Sequence, residues 1–189
     1  MAMSELTNIE FYNTPEGDVM IKEAGKPVKV LEQSDRGFIS MMLTLIKDRY
    51  PDAFRALMDI YSKSSLNVPY YQFLAVSRFI RCNFGEYDQN RYDILNSGSF
   101  SFEEVRCPLR GECKYECVIC KPKFSTTLTE REIEVLRLIA ECDMQSDDIA
   151  EELHISPCTV ARHRDSIRQK IGARNAADMV KYWKDNNLT

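Results

Sequence analysis

A mainly α chain is predicted, with an N-terminal α+β module, a cysteine-rich connector and a C-terminal four-helix unit built around a helix-turn-helix. Three observations predict it. Short β-like runs between turn signals occur only in the first 33 residues. Apolar residues then recur at helical spacing through residue 80. After Leu128, capped helical segments follow one another, and one of them stops at Gly172. The expected divisions are 1–106, 107–127 and 128–189.

The bulk properties narrow the class. The chain has 189 residues, 44% of them hydrophobic and 29% charged, as in a globular protein. No apolar run approaches the roughly 20 residues that span a bilayer. The start Met-Ala-Met-Ser-Glu-Leu lacks a basic segment followed by an apolar one. A cytoplasmic protein without a membrane partner is expected.

In order, Ile9-Glu-Phe-Tyr and Val19-Met-Ile flank a turn-rich Asn13-Thr-Pro-Glu-Gly-Asp, and Val28-Lys-Val-Leu follows a second turn. The alternation Val28-Lys29-Val30 predicts a half-buried strand in a short β-hairpin or ribbon, which must pack on the helices after it. Ile39, Met42, Leu43 and Ile46 predict a first helix, ended by Pro51. Phe54, Leu57, Met58 and Tyr61 predict a second, followed by a loop from Ser62. A third should begin at Pro69 and carry Phe73, Leu74, Val76, Phe79 and Ile80. These stripes read as core. Residues 84–106, with a turn at Asn96-Ser-Gly-Ser, read as a connector.

Four of the seven cysteines, Cys107, Cys113, Cys117 and Cys120, fall in one short window spaced Cys-x5-Cys-x3-Cys-x2-Cys. In a reducing compartment such clustering points to metal before disulfides. A structural zinc ion held by the four thiolates is expected, with an iron–sulfur cluster as alternative and free thiols as the plain reading. Arg106, Arg110, Lys114, Lys121 and Lys123 would offset the thiolate charge. Cys82, Cys142 and Cys158 read as small apolar fillers. Both histidines lie beyond residue 150, so no Cys/His pair forms within the N-terminal sequence, and no enzyme is expected.

Residues 121–127 are the expected linker. Thr129 and Glu132 have capping-box spacing, and Leu128 with Ile133 suits a hydrophobic staple. The helix they open should bury Ile133, Leu136, Ile139 and Ala140. Ser146 is expected to cap a short second helix with Asp147 and Asp148 in its first turn. After a turn at His154-Ile155, Ser156 caps a third helix with Pro157 at its first position and Val160, Ile167 and Ile171 inward. Asn175 should cap a fourth that carries Ala177, Val180 and Trp183.

Charge divides this region. Residues 128–153 hold nine acids against two arginines. Residues 154–175 hold Arg162, Arg164, Arg168, Lys170 and Arg174 against Asp165 alone. A basic helix after a tight turn has the form that enters the DNA major groove, although the whole chain carries −4.

The motifs Leu128-Thr-Glu-Arg-Glu-Ile-Glu-Val-Leu, Ile149-Ala-x-x-Leu, Ile155-Ser-Pro-x-Thr-Val and His163-x-x-x-Ile-x-x-Lys-Ile-Gly172 resemble the LuxR/FixJ-type helix-turn-helix domain of bacterial transcription regulators. The resemblance covers the C-terminal third. It implies a sequence-specific regulator of transcription, with 157–171 as recognition helix on double-stranded DNA. It also implies a homodimer through the helix at 176–186, and RNA polymerase as a further partner. By position it makes Ser156 a cap at the interface, and Thr159 and His163 backbone-positioning residues. Ala161, Arg162 and Asp165 lie nearest base edges, and Arg164, Arg168 and Lys170 are phosphate contacts. The turn at 141–146 runs one residue longer than the family pattern and lacks its glycine, and Cys158 replaces a common basic residue. Residues 1–127 lack the alternating strands, acidic strand ends and distant lysine of a phospho-receiver. A second reading is a metal- or redox-sensing regulator whose four cysteines switch DNA binding.

Overall fold

The structure, a computed structural model, describes residues 6–85, 87, 91–95, 98–186 and 188. The chain divides into two compact units, Met1–Ser125 and Thr126–Thr189. The cysteine-bearing stretch lies within the first of them.

In the first unit, β1 (Ile9–Asn13) and β2 (Val19–Glu23) pair antiparallel with Phe11 opposite Ile21, and β3 (Lys29–Val30) lies on the far side of β2. Gly17 closes the first turn at φ +95°, a conformation that suits a residue without Cβ. The ribbon buries Ile9, Phe11, Val19 and Ile21. The alternation expected at Val28-Lys29-Val30 is not what packs. Val28 and Val30 are exposed, and Leu31, just past the strand, is buried. A two-residue edge strand has one face on its neighbour and too little length to hold the period.

Helix α1 (Arg36–Arg49) buries Phe38, Ile39, Met42, Leu43 and Ile46. Pro51 starts α2 (Pro51–Ile60), where Leu57 is fully buried and Phe54, Met58 and Tyr61 are half-buried against the same core. A 3-10 turn at Ser62–Ser64 occupies the expected loop. Helix α3 (Val68–Asn83) starts one residue before Pro69, because the Asn67 side chain accepts the Tyr70 N–H and caps it.

Residues 84–106 do more than connect. Ile94 exchanges backbone hydrogen bonds with Ile9 on the free edge of β1 and bridges to Phe100. Phe84, Ile94 and Phe100 are fully buried. The Tyr50 ring meets those of Phe100, Phe102 and Phe124 at 5.8, 5.3 and 5.9 Å between centroids. Spacing alone does not reveal this core, since aromatics at irregular intervals mark neither period. Asn96 and Ser97 of the expected turn lie outside the described residues.

The second unit contains α4 (Glu130–Glu141), α5 (Ser146–Glu152), α6 (Pro157–Ile171) and α7 (Ala176–Asp185). Helix α4 packs against both α6 and α7, so its buried surface is wider than one stripe. It buries Glu132, Val135, Leu136, Leu138 and Ile139, while Ile133 and Ala140 are half-buried. Ser146 is not the cap of α5: it is the first helical residue, after Gln145, whose N–H donates to the Asp148 carboxylate at 3.2 Å. In the longer turn before it, Asp143 takes the left-handed conformation at φ +50°, where the family's glycine would be at ease. Met144 N–H then reaches the Leu138 carbonyl at 3.2 Å. Among the described residues, no helix is long and apolar enough to cross a membrane.

Candidate functional site

Helix α6 follows α5 after a short turn in which His154 adopts φ +53°. Its start is fixed locally: the Ser156 hydroxyl accepts the Thr159 N–H at 3.1 Å, and the two hydroxyls lie 2.8 Å apart. Pro157 stands at the first position, where a missing N–H leaves no helical bond unmade. The end is set by Gly172 at φ +69°, which lets Ala173 N–H return to the Arg168 carbonyl at 3.0 Å. Val160 and Ile167 are buried and Ile171 is half-buried.

The opposite face is open. Cys158, Ala161, Arg162, Asp165 and Gln169 are exposed, at spacings that keep them on one side of the helix. Among the described residues no hydrogen bond or ion pair holds the Arg162 guanidinium. Asp165 and Arg168 form an ion pair at 2.9 Å along the helix. Thr159 and His163 are half-buried at the flank of this face.

Two of the basic side chains turn toward the rest of the unit. Arg164 Nη1 donates to Ser146 Oγ at 3.3 Å, which ties α6 to the start of α5. Burial, with Arg168 nearby, lowers the Arg164 pKa from its ordinary value. Lys170 Nζ donates to both carboxylate oxygens of Glu132 on α4, at 2.9 and 2.7 Å. The same carboxylate accepts the Ser166 hydroxyl at 2.6 Å and the Thr129 N–H at 2.7 Å. Burial alone would raise the Glu132 pKa; the donors from Lys170, Ser166 and Thr129 overcome it and hold the group at about 2.

Glu132 was legible as a capping residue but not as the joint between α4 and α6. The signal for that role is Ser166 and Lys170, four residues apart on the α6 side that faces α4.

In the first unit, Cys107, Cys117 and Cys120 line one small cavity of about 60 Å³, together with Cys82 from the last turn of α3. Arg110, Lys121, Glu103 and Glu116 complete its charged lining. Cys82, read from sequence as an apolar filler, therefore stands beside the cluster. Burial pushes its thiol up to about 11, against the lowering effect of Arg78. Burial also raises the Cys120 thiol, with Cys113 adding to the rise. Cys113 is half-buried and Cys117 exposed. A separate trio, Glu10, Asp93 and Glu103, brings carboxylate oxygens within 4.8 Å of one another. Asp93 accepts the Phe11 N–H and Glu103 the Gly85 N–H, each at 2.6 Å, so these two acids serve the backbone.

Residues 126–183 match the model of the family described as bacterial regulatory proteins, luxR family. The match falls on the second unit and bears out the resemblance read from the motifs there. Neither the curated proteins nor the solved structures gave a match to the chain.

Proposed function

We propose that this protein is a sequence-specific, DNA-binding regulator of transcription that inserts α6 into the major groove. The observation that carries the reading is the outer face of α6. It is a helix fixed at both ends, with a long, unpartnered arginine midway along an exposed polar side, inside a unit that matches the luxR family. Arg162 reads bases, for which guanine offers two acceptors in the major groove. Ala161 and Asp165 lie beside it toward the base edges. Ser156, Thr159, His163, Arg164 and Arg168 face the backbone. Lys170 acts at one remove, by holding α6 against α4.

The protein works in the cytoplasm as a homodimer through α7, whose outer side carries Ala177, Lys181 and Lys184. RNA polymerase is the further protein partner in this reading. The role is binding rather than catalysis.

Genome-wide capture of DNA by the full chain tests the proposal, followed by titration of the best site over a range of salt. A recurring sequence should be enriched, and log affinity should fall linearly with log salt as phosphate counterions are released. DNA recovered without any shared sequence would refute it.

A further inference from the structure

Cys82 lies 25 residues before Cys107 in the chain, yet both line the same cavity. What joins them is Asn83. This side chain is fully buried, donates to the Ile119 carbonyl at 2.8 Å and accepts the Lys121 N–H at 2.7 Å. The two residues on either side of Cys120 are thus pinned to the residue after Cys82. The Asn83 carbonyl accepts the Glu103 N–H at 3.0 Å, which brings in the segment leading to Cys107. Cys113 enters through a turn in which its N–H meets the Leu109 carbonyl at 3.0 Å.

The thiols of Cys82 and Cys120 act on each other, and Cys107 acts on both. Cys113 acts on Cys120 and on Arg78. Cys117 stands apart from this network. It is exposed, and its backbone is in the left-handed region at φ +57°.

We propose that Cys82 joins Cys107, Cys113 and Cys120 as the four ligands of one thiophilic metal centre, and that Cys117 is not a ligand. The helix supplies one rigid ligand and the wound segment supplies three, so the centre staples residues 107–120 onto α3. Arg78, Arg110 and Lys121 surround it with positive charge, which offsets that of four thiolates. No three of the cysteine sulfurs lie all within 4.8 Å of one another among the described residues. Four thiolates around one zinc, each at about 2.3 Å, stand closer than that. The wider ring suits an iron–sulfur cluster, whose metal atoms separate the ligand sulfurs.

The full-length chain is purified without oxygen, loaded with zinc or with ferrous iron and sulfide, and assayed for zinc, iron and acid-labile sulfide. Wild type and Cys117→Ser should each hold one centre per chain, and Cys82→Ser should lose at least fivefold. Sulfide together with iron identifies a cluster; zinc alone identifies a single ion. Thiol alkylation of loaded wild type, read by mass spectrometry, makes the test independent of how Cys82→Ser folds. Cys82, Cys107, Cys113 and Cys120 should be protected until a chelator is added, with Cys117 labelled throughout. Metal loss in Cys117→Ser with retention in Cys82→Ser, protection of Cys117 in place of Cys82, or no metal uptake by wild type would overturn the proposal.

Discussion

Glu132 and Lys170, 38 residues apart, join the first and third helices of the C-terminal unit through an ion pair of 2.7 Å. The carboxylate is buried and the ammonium about one-third exposed. Glu132 also closes the cap of α4 and accepts Ser166. One acid therefore sets both where α4 begins and how α6 lies against it. A recognition helix whose seat is fixed loses less freedom on binding DNA.

Acid should weaken this unit through Glu132. Its folded pKa of about 2 lies below the ordinary 4.5, so its stabilisation is complete above 4.5 and is lost as pH falls from there toward 2. Trp183, the one tryptophan in the chain, is buried in this unit and reports its unfolding. Urea titrations followed by its fluorescence should show Glu132→Gln less stable at pH 7 by about 2 kcal/mol, from the loss of charged hydrogen bonds. The variant should also depend less steeply on pH between 4.5 and 2. A wild-type pH dependence in the variant would show that another group governs the acid transition.

Arg162→Ala and Lys170→Ala should fail in different ways. Arg162 is exposed and held by no hydrogen bond or ion pair among the described residues. Its removal should leave the unfolding midpoint unchanged and cost about 1–3 kcal/mol of discrimination at the base it reads. Lys170→Ala leaves the buried Glu132 without its cation and should lower stability by about 3 kcal/mol. Binding to panels of single-base site variants, beside urea midpoints, separates the two. Equal loss of stability in both would contradict the placement of Arg162.

Asp143→Gly should stabilise the helix-turn-helix. Asp143 is exposed at φ +50°, and a side chain there carries a steric cost that glycine lacks. The expected gain is about 0.5–1 kcal/mol, partly offset by the greater freedom of glycine in the unfolded chain. Thermal unfolding followed at Trp183 measures it. A fall in midpoint would mean that the Asp143 side chain supports the turn.

Much of the second unit can be read directly from its residues. Thr129 with Glu132, Ser156 with Pro157, Gly172 and Asn175 act within one turn of chain, so their local chemistry is enough to place helix ends. The exposed side of α6 follows from the same periodicity that buries Val160 and Ile167. Ser146 misled because Gln145 with Asp148 offers a competing cap one residue earlier, and local sequence does not rank the two.

Tertiary structure decided what local pattern cannot encode: which distant partners meet. It committed Lys170 to Glu132 and Arg164 to Ser146, leaving Arg162 on the open face. It assembled Tyr50, Phe100, Phe102 and Phe124 into one core. It also set Cys82 beside a cysteine segment that the spacing alone treats as self-contained. The sequence by itself determined helix ends, the charged face and the family resemblance, because those depend on neighbours within about four residues. Only packing determined the pairings between elements, because a buried charge or a thiol takes whatever partner the fold brings within reach.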